Sequence, residues 1–165
     1  MKKIFILSLL LIFFGGCGYK PSSYYAKKIV AGTVFVDVDA SAEDPKNSVI
    51  AKDELIEILV SRLGARLADS KSLADVTMIT KMQNLSFSAI GYNTKGYISA
   101  YRTSVTILVT YKTKDKSGHI SVSGNYDFSL DDTTISEVKR FEAIKIASQK
   151  AMQDFVSQMA VISLK

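Results

Sequence analysis

What the chain lacks narrows its reading first. It holds one cysteine, Cys17, so no internal disulfide can form and packing must stabilise the fold. It holds one histidine, His119, with no spacing of partners that suits a metal centre or a nucleophilic triad. An isolated histidine beside the Lys116-Ser117-Gly118 turn is expected on the surface. No apolar run reaches the roughly 20 residues that cross a bilayer as a helix. Gly91 and Gly96 flank a hairpin tip and do not form a strand-loop-helix cradle for phosphate. Despite a formal charge of +5 there is no dense stripe of lysine and arginine, which argues against a nucleic-acid partner. Internal repeats and low-complexity tracts are absent. These gaps point away from an enzyme and imply no cofactor.

The clearest positive signal lies at the N-terminus. Lys2 and Lys3 precede an apolar run, Ile4 to Phe14, broken only by Ser8, and Gly15 and Gly16 follow. That is the layout of a secretory signal peptide, so residues 1–16 are expected to be removed. Phe14-Gly15-Gly16-Cys17 resembles the lipobox of bacterial lipoproteins, with Phe14 where leucine is usual. The resemblance implies that Cys17 is the lipid attachment site and the new N-terminus, tethering the protein to a membrane. The alternative is an ordinary secreted protein with a free Cys17, but a lone exposed thiol in an oxidising compartment would be an odd feature, which acyl chains explain better. Several acyl chains, at about 0.8 kcal/mol per buried CH₂, hold firmly. In such lipoproteins Asp after the cysteine marks the inner membrane. Gly18 stands there, which implies the cell outer membrane.

Loss of Lys2 and Lys3 brings the formal charge to +3. The remaining length suits one domain with one core. Residues 17–28, with Pro21, Ser22 and Ser23, read as a lipidated tether. Tyr19, Tyr24 and Tyr25 either rest at the membrane interface or pack on the domain. Residues 29–165 read as a single α/β domain. Ile29 to Val38 is a strand facing inward through Val34, Val36 and Val38. A loop from Ala40 to Asn47 leads to a helix from Ser48, as N-cap, to Asp69, with an apolar stripe of Leu55, Ile56, Leu59, Val60, Leu63 and Leu67. Gly64 suggests close approach of that helix to the sheet.

Three strands follow, from Ala74 to Ile90, Tyr97 to Lys112 and His119 to Leu130. In the first of them Val76, Met78, Thr80 and Met82 share one face, and then Leu85, Phe87 and Ala89 take it over. A strand changes parity only by inserting a residue, which predicts a β-bulge near Gln83-Asn84. A last helix is expected from Thr133 to Leu164, capped by Asp131 or Asp132, with a stripe running from Val138 and Phe141 to Ile162. The order is β-α-β-β-β-α. It predicts an α+β two-layer sandwich: a four-stranded, mainly antiparallel sheet with both helices on one face.

The lipobox followed by Gly18-Tyr19, this order of elements, Ala74-Asp75 and Ala100-Tyr101-Arg102 together resemble the LptE family of LPS-assembly lipoproteins. The resemblance implies a plug-like domain inside an LptD-like outer-membrane β-barrel, helping the barrel to assemble and lipopolysaccharide to reach the outer leaflet. The polar lumen of such a barrel suits a small domain with one wet sheet face. The alternative is a tethered periplasmic lipoprotein that activates a cell-wall synthase or acts as a pilotin-like assembly factor. Under the first reading Lys95 and Arg102 are candidates to meet lipopolysaccharide phosphates, with Tyr92 and Tyr97 touching sugar or barrel wall. The competing reading of Arg102 is an ion pair with a nearby carboxylate.

Overall fold

The computed structural model describes residues 21–40, 45–130 and 134–163. Its elements are α1 (Ser22–Ala26), β1 (Thr33–Val38), α2 (Pro45–Ser61), β2 (Arg66–Leu67), β3 (Val76–Tyr92), β4 (Ile98–Lys112), β5 (Ser117–Ser129) and α3 (Glu137–Ser163). A 3-10 turn, Lys71–Leu73, precedes β3. The strands form one sheet in the order β2-β1-β3-β4-β5. β3, β4 and β5 make an antiparallel meander, while β1 runs parallel to both β2 and β3.

The α+β class stands, with corrections. Among the described residues the sheet has five strands and is mixed, and there are three helices. β1 is parallel to β3 because a helix, not a hairpin, connects them. β2 is two exposed residues without alternation, so periodicity does not reveal it. The five residues of α1 are likewise too few to show a helical period. α1 falls in the stretch read as tether. Its Ala26 is fully buried, Tyr25 packs on the core, and Tyr24 is half exposed. Cys17 and Tyr19 lie outside the described residues.

One hydrophobic cluster unites the layers. Val34, Val36, Met78, Ile107, Val109 and Val122 supply the sheet, Leu55 and Leu59 supply α2, and Ala147, Ala151, Phe155 and Met159 supply α3. Both long helices therefore cover the same face. Each fully buried large side chain contributes about 1.5–3 kcal/mol by leaving water. The bulge is where parity demanded it: the β3–β4 register shifts between Met82 and Asn84, and Leu85, Phe87 and Ala89 then face the helices.

Helix boundaries moved. α2 starts at Pro45, whose missing N–H costs nothing in a first turn, and Ser48 is buried within it. It stops at Ser61 because Gly64, at φ +64°, takes the left-handed conformation and donates its N–H to the Val60 carbonyl at 3.1 Å. Gly64 thus ends the helix, and among the described residues no atom lies within 4 Å of where its Cβ would stand, so the expected close approach is not seen. Val60 and Leu67 are exposed, while Glu54 takes a place on the buried face. α3 starts at Glu137, capped by Ser136, whose hydroxyl accepts the Lys139 N–H at 3.2 Å. Asp131 and Asp132 lie outside the described residues. Val138 and Phe141 are exposed, and the buried stripe begins at Ala143 and Ile144.

Candidate functional site

The β3–β4 hairpin is the longest feature among the described residues. The 15 residues of β4 span about 50 Å at roughly 3.3 Å each. Helices cover its base, and residues 92–97 at its tip are exposed. Asn93 organises the tip. Its side-chain oxygen accepts the N–H groups of Lys95 at 2.9 Å and Tyr97 at 3.0 Å. Its own N–H donates to the Tyr97 carbonyl at 2.8 Å. An asparagine side chain commonly completes a turn in this manner. Tyr92 and Tyr97 are 66% and 57% exposed beside Lys95.

Three of the four residues singled out from the sequence therefore gather at the tip. Arg102 does not. It stands five residues beyond Tyr97, about 17 Å along the strand, on the sheet face opposite the described helices. Its Nε and Nη2 donate to the two carboxylate oxygens of Asp127, both at 2.7 Å. The fork of a guanidinium matches a carboxylate in this way. The bonds hold the Asp127 carboxyl below its usual range and raise Arg102. Ser88, Arg102, Asn125 and Asp127 make this outer face polar at the projecting end.

The opposite face of the same end carries aromatics. Phe128 stacks with Tyr101 at 6.2 Å and with Tyr126 at 6.1 Å between ring centres. The Arg140 guanidinium lies 4.6 Å above Phe87, and the Lys150 ammonium 5.4 Å above Tyr126. These cation–π contacts were not foreseen from the sequence. The alternation put the rings on the inner face, but the sheet reaches beyond the start of the well-buried part of α3. The rings are only half buried there, and Val138 and Phe141 stay in water.

His119 is exposed on the polar face of β5, opposite Thr110. Among the described residues no group of three His, Cys, Asp or Glu could hold a metal ion. Among them, too, no helix is long and apolar enough to cross a membrane.

The model of a family described as LptE, lipopolysaccharide-assembly, matches residues 31–159. No curated protein matches the sequence. A solved lipoprotein structure from Caulobacter crescentus superimposes with a TM-score of 0.51 at 10% identity, covering 86% of this chain and 98% of that one. A minor lipoprotein from Acinetobacter baumannii gives 0.48 at 10% identity, over 79% and 91%. Lipoprotein B from Nitrosomonas europaea gives 0.49 at 12%, over 81% and 84%. At such identity the Caulobacter structure speaks for the fold alone.

Proposed function

The chain belongs to the LptE family of lipopolysaccharide-assembly proteins, and from that membership we propose that it is an outer-membrane lipoprotein held by acylated Cys17. In this reading it acts without catalysis. It helps an LptD-type β-barrel to assemble and lipopolysaccharide to reach the outer leaflet. The observation that carries the reading is the family match across residues 31–159. The geometry agrees with it. A long hairpin with a polar outer face suits the water-filled lumen of a barrel. At its tip Lys95 offers a point charge for phosphate, and Tyr92 and Tyr97 offer exposed rings for sugar or barrel wall. Arg102 has two donors committed to Asp127, so in this reading it contributes to lipopolysaccharide contact less than Lys95 does.

Depletion of the protein in its native host tests the proposal. Correctly assembled LptD-type barrel should fall, and the envelope should leak hydrophobic compounds. Normal barrel levels with an intact permeability barrier would refute it. Mass spectrometry of the mature protein should find acyl chains on Cys17 and no residues 1–16. An unmodified thiol would remove the anchor.

A further inference from the structure

We propose that the end of the molecule opposite the hairpin tip binds the anionic headgroups of phospholipids in the membrane that holds the anchor. The proposal rests on the reading of Cys17 as acylated. A cleft of about 460 Å³ opens at this end, lined among others by Lys28, Tyr111, Lys114, Lys116 and Ser163. Its lysines come from two separate places, the turn after α1 and the turn between β4 and β5. All three are exposed, and so are their neighbours Lys27 and Lys112.

Two carboxylates, Asp75 and Asp115, share the lining. Asp75 is already engaged. Its Oδ2 accepts the backbone N–H of Thr33 at 2.9 Å and the Thr33 hydroxyl at 3.0 Å. These bonds hold its carboxyl below the ordinary range and fasten the start of β1. Lys114 lies 3.9 Å from the other Asp75 oxygen, with 82% of its side chain exposed. Such a pair is loose enough to exchange for a phosphate. Leu73 is 70% exposed two residues before Asp75. Its carbonyl accepts the Thr33 hydroxyl at 3.0 Å, so the same end of the molecule offers lysines and an apolar side chain to water, the mixture that interfacial membrane contacts use.

Chain length supplies the occupant. Cys17 is four residues before Pro21, a reach of about 14 Å at most. Helical turns carry the chain from Pro21 to Lys28, adding about 10 Å. The anchor therefore lies within about 25 Å of the cleft, whereas the tip lies a full length of β4 away. Acyl chains on Cys17 would hold this end, and not the tip, against the headgroups. There the local concentration of lipid phosphate far exceeds that of any free anion.

The test uses the chain from Gly18 onward, which keeps every residue of the core cluster, from Ala26 to Ala160. It would be sedimented with vesicles of phosphatidylcholine alone or with added phosphatidylglycerol. Binding is expected only to the anionic vesicles, and it should fall with salt. Each lysine near such a surface contributes about fivefold, so Lys28→Gln, Lys114→Gln and Lys116→Gln together should weaken partitioning on the order of a hundredfold. The corresponding triple arginine variant should bind like the parent. Lys46→Gln, near the other end, should change nothing. Thermal melts show whether each variant is folded. Equal binding to uncharged vesicles, an unaffected triple glutamine variant, or competition by millimolar glycerol phosphate would overturn the proposal. Failure of the anchor is read separately: an unacylated Cys17 in the mass spectrum, with vesicle binding intact, overturns the anchor reading and leaves the cleft's affinity standing.

Discussion

Glu54 shows how one side chain ties packing to pH. It is 4% exposed on the face of α2 that meets the core. Burial pushes its carboxyl up from the ordinary value of 4.5, and Glu57 pushes it further, against the pull of Lys145 and a hydrogen bond from Gln149. A raised carboxyl means that the folded protein binds the proton more tightly than the unfolded chain. Stability from this group is thus greatest in acid and is lost as pH rises from about 4.5 through the raised value. Glu54→Gln should leave stability near parent at pH 4 and raise it at pH 7, as read from urea midpoints. A variant less stable than the parent at pH 7 would show that the Lys145 and Gln149 contacts outweigh burial. Gly124 gives a second prediction. A Cβ there would run into the Ala147 carbonyl oxygen and meet the Ala151 nitrogen at 2.6 Å, both backbone atoms of α3. Helix and sheet would have to part, so Gly124→Ala should cost about 1–3 kcal/mol in denaturant unfolding. A glycine inside an otherwise alternating strand is the signal for such close approach. The ion pair of Arg102 with a nearby carboxylate was one of the two readings the sequence offered, and the structure bears it out, but the identity of the partner, Asp127, was not legible. Both sit on the polar face by alternation, but their contact needs the β4–β5 register.

At the scale of elements, periodicity was readable wherever a segment was long. The parity change in β3 located the bulge between Met82 and Asn84 because a buried face cannot switch sides without an extra residue. Ends were harder, since caps depend on single hydrogen bonds. The apolar spacing of α2 continues through Gly64, yet that residue's positive φ closes the helix. For α3, Ser136 caps the described helix. Ser136→Ala should therefore cost about 1 kcal/mol, the ordinary worth of a hydroxyl N-cap. Paired thermal and urea unfolding would measure it. No loss at all would mean that the Ser136 hydroxyl bond contributes nothing net. α1 and β2 were invisible to pattern reading for the same reason as each other: a helix turn or a strand pair of so few residues carries no period. They form because Ala26 finds a buried place and because β1 offers an edge.

Along its length the molecule divides into a packed part and an exposed tip. Its core cluster sits between the helices and the covered part of the sheet, whereas residues 92–97 at the tip are exposed and bury nothing. The family likeness was legible because the order of long elements stands beside short local motifs, the lipobox with Gly18-Tyr19, Ala74-Asp75 and Ala100-Tyr101-Arg102. The tip was legible as exposed from the two long strands alone, but Asn93 as its organiser was not, since that role depends on where one side-chain oxygen points. This division predicts the outcome of shortening the hairpin. Replacing residues 93–97 by Asn-Gly keeps the β3–β4 pairing and supplies a two-residue turn suited to its twist. Folding stability should stay within about 0.5 kcal/mol, as for other exposed substitutions. If the domain works as a plug inside a barrel, the same change should lower the amount of assembled LptD-type barrel in cells and weaken lipopolysaccharide binding by the purified protein. Lys95→Glu alone should reproduce part of the binding loss with a shallower salt dependence, because only a point charge has been reversed. Arg102→Glu places two carboxylates opposite each other across β4 and β5, so its effect should register in the melting curve before it registers in binding. A shortened hairpin that folds, binds lipopolysaccharide and supports full barrel assembly would move the working surface away from the tip, toward the half-buried rings of Tyr101, Tyr126 and Phe128.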